Sequence, residues 1–395
     1  MMRSRQLRGF VGIAAIAVAA ACALRVRDAT GPSIDLGRPV QVDEGVQLFH
    51  LTDPALLDPP GPISVHLLRV DSRRVRLESA LAGDQVMGRE PVGATAARHG
   101  AIAAINAGFF RPSGDPDGVL KVEGELVSDR DPERPRGAVA ILDAGPGGGQ
   151  TLLFDQLAVS AVLEFEAEGE RRVFPIAGID TTRLRQHLML FTPRYHEDTD
   201  TAPAGTEWVL DGDPLQVASV RSGTGKAPIP PRGAVLSFGG TSLPPPLELL
   251  TVGRTVEIGL QYVAVHGTPQ EAWARAPQIV GGAGLLLRDG RLITDWAVER
   301  FRDGFTTERH PRTVIGVDGE ETIWLVAVDG RQPGSSVGMT FVELQGLARG
   351  LGLRSALNLD GGGSTTMVVG ERTVNRPSDA AGARAVSDAL LLVQR

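Results

Sequence analysis

The stretch Ile323-Trp-Leu-Val-Ala-Val-Asp-Gly-Arg331, read together with Ala356-Leu-Asn-Leu-Asp-Gly-Gly-Gly-Ser-Thr-Thr-Met-Val-Val369, decides the fold class. The first is continuously apolar up to Val328, as expected of a central strand buried on both faces. It stops at Asp329-Gly330-Arg331. The second is a shorter apolar run that stops at Asp360 and three glycines, after which strand character resumes at Thr366. Between them, Thr340-Phe-Val-Glu343 carries a hydroxyl with a glutamate three residues on, the signature of a capped helix start. That helix sets Phe341, Leu344, Leu347 and Leu351 near one face, and Gly350 and Gly352 can end it. The order strand–helix–strand predicts a crossover near the C-terminus. It would place Asp329 and Asp360 at the same ends of neighbouring strands, where open α/β sheets bind ligands.

Working outward, Thr313 to Val317 and Thr322 to Val328 read as two strands joined around Asp318-Gly319. Upstream, Ser64 to Val70, Val75 to Leu77, Ala101 to Ile105 and Ala138 to Leu142 read as strands, and residues 91–99 as a short helix. The middle, about 145–270, alternates short apolar runs with Gly/Pro punctuation and predicts short strands and long loops. With 49 glycines and 27 prolines, the chain is expected to be α+β: a mixed, β-rich sheet with a few helices. One echo stands out. Gly118 to Asp129 aligns without gaps on Gly284 to Asp295, and both read as hairpins turning at Glu123-Gly124 and Asp289-Gly290.

Composition excludes several classes. Of 395 residues, 42% are apolar and 22% charged, so wholesale disorder and a polytopic membrane protein are both excluded. The net charge of −7, without a long basic run, argues against a nucleic-acid partner. Arg3, Arg5 and Arg8 precede the apolar run Phe10 to Leu24, the layout of an export signal and short for a membrane span. The lone Cys22 follows Ala19-Ala20-Ala21, as at a lipidation site. We therefore expect a signal over 1–26, a proline-rich extended tether over 27–62, and a folded body over 63–395. The protein is expected to be exported to the periplasm or cell envelope, touching membrane only through this signal or a lipid anchor at Cys22. Oligomeric state is not legible.

The chemistry concentrates at the strand ends. Three consecutive glycines, Gly361, Gly362 and Gly363, can turn their N–H groups into an anion-binding nest, with Ser364 adding a hydroxyl donor. A carboxylate beside such a nest repels an anion unless it has chemistry to perform, which marks Asp360. Asn106, at the end of an apolar strand and followed by Ala107-Gly108-Phe109-Phe110, is a candidate anchor for a ligand hydroxyl. In Arg309-His310-Pro311-Arg312-Thr313, Arg312 is a candidate phosphate ligand and His310 a candidate proton donor near neutral pH. Asn375-Arg376-Pro377-Ser378-Asp379 is a polar loop.

These motifs, Ala104 to Phe110, Pro311 to Gly316, Asp329-Gly330-Arg331, Asn358 to Ser364 and Asn375 to Asp379, resemble in this order the phosphodiester glycosidase family. Bacterial relatives of that family are often called exopolysaccharide biosynthesis proteins. The resemblance runs from about Ile63 to Arg395 and is diffuse over 145–270. Ala107 stands where a glycine is usual, and Ala283 interrupts a glycine-rich turn at Gly281-Gly282. It implies hydrolysis of a sugar-1-phosphodiester or phosphorylated glycan, releasing the sugar, by an enzyme like N-acetylglucosamine-1-phosphodiester α-N-acetylglucosaminidase. Arg312, Arg331, the glycine nest, Ser364 and Asn375 would then hold the substrate. Asp360 or Asp329 would act on the oxocarbenium-like sugar, with His310 assisting. No cofactor is required on this reading, and a divalent cation bridging the aspartates is left open. Two alternatives stand beside it: a non-catalytic, membrane-tethered glycan-phosphate-binding protein, and a metal-dependent phosphoesterase.

Overall fold

The computed structural model describes residues 34–128, 133–145 and 147–395. The expected export segment 1–26 with Cys22, and residues 27–33 of the tether, lie outside them. Three sheets dominate, and the helices are few, as an α+β, β-rich class requires.

The first sheet has eight strands, in the order Val40–Asp43, Val46–Leu51, Val65–Val70, Ile323–Val328, Arg312–Asp318, Leu353–Asn358, Leu285–Arg288 and Arg291–Leu292. Ile323–Val328 is buried along its whole length. Ile323, Leu325 and Ala327 join the core shared with the other sheets. Trp324, Val326 and Val328 join a second core under the helix Phe341–Gly350. That helix is capped as expected: the Thr340 hydroxyl accepts from the Glu343 amide (3.2 Å) and Glu343 accepts from the Thr340 amide (2.8 Å). Phe341, Leu344 and Leu347 lie on its buried face.

The crossover expectation needs correction. Ile323–Val328 and Leu353–Asn358 run the same way, but they are not neighbours, because Arg312–Asp318 lies antiparallel between them. The cause is local. Asp318 accepts the amides of Glu320 (2.9 Å) and Thr322 (3.0 Å) and the indole of Trp324 (3.0 Å), which closes a tight hairpin. Val65–Val70 already pairs with the other flank of Ile323–Val328, so the strand after the helix joins the hairpin's far side. Asp329 and Asp360 still emerge from the same edge of the sheet, now flanking Arg312.

The tether expectation for 27–62 is likewise corrected over residues 40–51. These form a hairpin that adds to the sheet edge and buries Val46, Phe49 and Leu51. The region 145–270 also departs from its reading. Gln150–Ala167 is one strand of 18 residues, hairpinned to Glu170–Ile179. The turn residues Glu168 and Gly169 both take positive φ (55° and 76°), the left-handed pair that a tight hairpin needs. The long strand pairs in turn with Arg136–Asp143, Glu257–Ala264 and Glu170–Ile179 inside an eleven-stranded sheet.

A third, five-stranded sheet runs Arg372–Thr373, Met367–Val369, Ala103–Asn106, Asp388–Gln394, Val75–Leu81. The two echoing hairpins, Leu120–Val122 with Glu125–Ser128 and Leu285–Arg288 with Arg291–Leu292, each end a sheet. They are linked by Gln278–Gly281, which pairs with the first hairpin and leads through Gly282 to Gly284 into the second.

Candidate active site

All three sheets send an end to Asp360. Its backbone amide donates to the Ala107 carbonyl (2.9 Å), just past the strand Ala103–Asn106. Its own carbonyl accepts from Asn106 Nδ2 (2.7 Å). Gly282 passes so close to Asn358 that an added Cβ would stand 2.4 Å from the Asn358 carbonyl.

Asn106 is fully buried, and its amide is committed within the protein. Besides the bond to Asp360, its Oδ1 accepts from the Thr313 hydroxyl (2.9 Å) and the Thr366 amide (3.1 Å). The residue expected to grip substrate therefore ties two sheets together beneath the site.

Arg312 departs from its expected role in the same way. It is 2% exposed. Its Nε donates to the Met339 carbonyl (2.9 Å) and its Nη2 to the carbonyls of Phe305 (2.8 Å) and Glu308 (3.0 Å). The guanidinium lies over the rings of Phe305 and Phe341. Burial, with Arg331 nearby, pushes it down to about 10.

The glycine segment is not an open nest. The Gly361 amide donates to Asp360 Oδ1 (2.9 Å), the Gly362 amide to the Pro311 carbonyl (2.9 Å) and the Ser364 amide to the Gly361 carbonyl (3.1 Å). What the glycines provide is close approach. A Cβ on Gly361 would sit 2.5 Å from the Pro311 carbonyl, one on Gly362 about 3.0 Å from the Arg331 guanidinium, and one on Gly363 2.1 Å from both Arg384 Nη2 and Asp379 Oδ1. Gly362 also needs its positive φ of 61°. Two guanidinium groups thus press on the bare backbone beside Asp360.

Sequence reading missed Arg384 and Asp388. Arg384 pairs with Asp379 (Nε to Oδ2, 2.8 Å; Nη2 to Oδ1, 3.1 Å) and reaches the Ser364 hydroxyl (3.4 Å). Asp388 is 1% exposed and accepts the Gly108 amide (3.0 Å). Nothing in the local sequence marked either: Arg384 lies in a loop, and Asp388 opens a core strand where an apolar residue is the default. Gly108, Phe109, Asp117, Gly118, Gly281 and Asp388 line a small recess of about 160 Å³ there. Larger recesses, one of about 1030 Å³ between Glu164 and Glu257, lie on the long-strand region away from these motifs. Volume alone therefore does not mark the site.

The electrostatics separate the two aspartates. Asp360 keeps some residue surface, but its carboxyl is enclosed by protein atoms, and this burial pushes it up to about 6. The Ser364 hydroxyl, the Gly361 amide and Arg384 pull the other way, while Asp388 adds to the rise. Asp388 is itself pushed up by burial. Asp329 is 3% exposed, and its Oδ1 already accepts Asn375 Nδ2 (3.0 Å) and the Arg376 amide (2.9 Å). Asn375 in turn accepts the Met367 amide (2.7 Å) and donates to the Thr365 carbonyl (3.0 Å). Asp329 and Asn375 thus fasten the 375–379 loop to the sheet edge. His310 stands 3.5 Å from Arg331 and 3.4 Å from Glu308. Burial, followed by Arg312 and Arg331, lowers it, so at neutral pH the imidazole is neutral and better suited to accept a proton than to donate one. Among the described residues no group of three or more His, Cys, Asp or Glu side chains is gathered for a metal ion.

Residues 205–393 match the phosphodiester glycosidase family. The family resemblance carried by the motifs is thereby borne out over that span, which includes His310, Asp329, Asp360 and Asn375. An uncharacterized protein of Rickettsia conorii is 25% identical over 238 residues, 59% of this chain and 76% of its own length. A hypothetical protein from Synechocystis has the same fold, with a TM-score of 0.75 and 24% identity over 91% of this chain. The chain spans 64% of that protein's length. A crystal structure of an exported-protein candidate from Burkholderia pseudomallei K96243 gives a TM-score of 0.71 at 28% identity, covering 85% of this chain and 74% of its own.

Proposed function

We propose that the chain is an exported phosphodiester glycosidase that hydrolyses sugar-1-phosphodiester bonds in phosphorylated surface glycans. One observation carries the reading. An enclosed carboxyl, Asp360, pushed up to about 6, precedes two glycines whose bare backbone admits the Arg331 and Arg384 guanidinium groups. A sugar-1-phosphodiester carries one negative charge, and its phosphate gains a second as the bond to the anomeric carbon breaks. Arg331 and Arg384 meet that developing charge; donors fixed in advance are commonly the largest catalytic contribution. Ionised Asp360 serves the sugar side, either attacking the oxocarbenium-like carbon or taking a proton from the attacking water. The balance is simple: water adds across the C–O bond, the hydroxyl stays on the sugar, and a phosphomonoester leaves. Arg312, Asn106, Asp329 and Asn375 are positioning residues on this reading, and Asp388 holds Gly108 beside the sugar. Export rests on the Arg3 to Leu24 signal pattern and agrees with the exported-protein description of the Burkholderia relative.

The test is incubation with an α-sugar-1-phosphodiester in ¹⁸O-labelled water. Label in the released sugar supports glycosidic cleavage. Label in the phosphate places the attack at phosphorus instead. Tight binding without release favours a non-catalytic glycan-phosphate receptor.

A further inference from the structure

Behind the site, Asp329 faces a pair of histidines that the catalytic reading does not use. His66 Nε2 lies 3.6 Å from Asp329 Oδ2. His66 is buried at 8% exposure on the strand Val65–Val70. Directly opposite it on the neighbouring strand stands His50, exposed at the surface. The two imidazoles stack, with centroids 4.4 Å apart and planes 10° from parallel. Ser64 Oγ bridges them, 3.0 Å from His50 Nε2 and 3.3 Å from His66 Nε2. Ser64 is itself fixed: its amide donates to Ser336 Oγ (3.1 Å), and the Ser336 hydroxyl donates to the Asp329 carbonyl (2.6 Å).

This is not a nucleophilic triad. Both Asp329 and Ser64 address the same ring nitrogen of His66, whereas a triad needs the carboxylate on one nitrogen and the hydroxyl on the other. It is a column of titratable groups leading from solvent to a buried carboxylate. The other oxygen of that carboxylate holds Asn375 and Arg376.

We infer that the stacked His50–His66 pair shares one proton through Ser64, and that this proton keeps Asp329 charged and the Asn375–Arg376 loop fastened against the site. The inference rests on the proposed function for its catalytic meaning, since the loop carries Asp379 and so positions Arg384. Two stacked imidazoles this close resist double protonation, so the pair titrates in two coupled steps. The first proton belongs next to the carboxylate. The second must enter beside an existing positive charge. His50 shows both influences: burial and His66 lower it, while Asp329 raises it. These two are the charged groups acting on His50. The strand next to His66, Ile323–Val328, is wholly apolar, and from Arg312–Asp318 beyond it the Arg312 guanidinium turns away toward the Met339, Phe305 and Glu308 carbonyls. From the loop after Asp329, Arg331 lies against Gly362.

The experiment is an NMR titration of the full chain carrying ¹³C-labelled histidine, with the Asn375 side-chain amide followed in parallel. In His66→Gln the His50 midpoint rises by about half a pH unit or more, because the charge stacked 4.4 Å away is removed. In Asp329→Asn the His50 midpoint falls. In the unmodified chain the Asn375 amide signal moves with the histidine titration; in His66→Gln that movement is lost. The exposed His50→Gln variant supplies a second route that leaves Asp329 and His66 in place, and there the Asn375 response keeps a single step. A His50 midpoint unmoved by both His66→Gln and Asp329→Asn, or an Asn375 amide indifferent to the histidines, overturns the inference. Absence of turnover on every sugar phosphodiester sinks the proposed function instead, and the NMR readout still decides the histidine column.

Discussion

Asp360→Asn is expected to abolish turnover and stabilise the folded chain at neutral pH. The magnitude follows from the site. The fold raises the Asp360 carboxyl from 3.8 to about 6. A raised carboxyl favours the protonated form, so its contribution to stability is full in acid and is lost as pH rises through about 6. At about 1.4 kcal/mol per unit, holding the charged carboxylate at pH 7 costs at most about 3 kcal/mol relative to the unfolded chain. Asparagine removes that charge yet keeps an oxygen to accept the Gly361 amide. The attraction of Arg384 is lost, so a net gain of about 1–3 kcal/mol is expected at pH 7. At pH 4 wild type is itself protonated at this position, and the gain disappears. Denaturant unfolding at the two pH values, with sugar release assayed alongside, makes the comparison. An Asn variant less stable than wild type at pH 7 would falsify the view that burial dominates Asp360. It would mean that the guanidinium groups hold the carboxylate charged as a structural ion pair.

The same group sets the pH dependence of catalysis. On the proposed mechanism Asp360 works ionised, so kcat/KM should fall tenfold per unit below about pH 6 and level off above it; a profile flat between pH 4.5 and 7 removes Asp360 from the chemistry. Arg331→Gln and Arg384→Gln should each lower kcat about 100-fold with a smaller change in KM, as expected when charge stabilisation is lost mainly in the transition state. Gly363→Ala drives a methyl to within 2.1 Å of Arg384 and Asp379, so we expect at least a tenfold loss of kcat/KM, with the displaced ion pair visible in a crystal structure. Arg312→Met should act on stability instead: it leaves the Met339, Phe305 and Glu308 carbonyls unpaired, a cost of about 3 kcal/mol or more. A stable Arg312→Met protein with weakened substrate binding would restore the direct phosphate role.

The parts of the fold legible in sequence are those in which local chemistry and burial agree. Ile323–Val328 has no polar residue to compromise two buried faces, and Thr340 with Glu343 writes its own helix start. Strand order was not legible. Whether the helix places Leu353–Asn358 beside Ile323–Val328 or across Arg312–Asp318 depends on the hairpin that Asp318 closes, and a lone Asp-Gly pair does not encode which flank the chain returns to. The long strand Gln150–Ala167 was hidden for another reason. Its central stretch is buried on both faces and its far end alternates with Glu164 and Glu166, so no single period runs through it. The residues 40–51 look like a linker because prolines flank them; only their pairing with Val65–Val70 gives Val46 and Phe49 a core to enter.

The candidate site divides along the same line. Sequence finds the residues that a strand end must hold, and it does not tell a group facing substrate from one facing the protein. Asn106, Arg312 and Asp329 sit at the edge where ligand is expected, yet each spends its hydrogen bonds inward. Asp360 differs because glycines follow it. A side chain at any of the three positions would fill the space taken by Pro311, Arg331 or the Arg384–Asp379 pair, and would push positive charge away from the carboxyl. The glycines therefore act through what they let approach, rather than through the Gly361 and Gly362 amides, which bond within the loop and to Pro311. On this argument Gly362 and Gly363 are as specific to the reaction as the aspartate they follow. An alanine at Gly346, which has open space on the helix surface, provides the neutral control against which both can be judged.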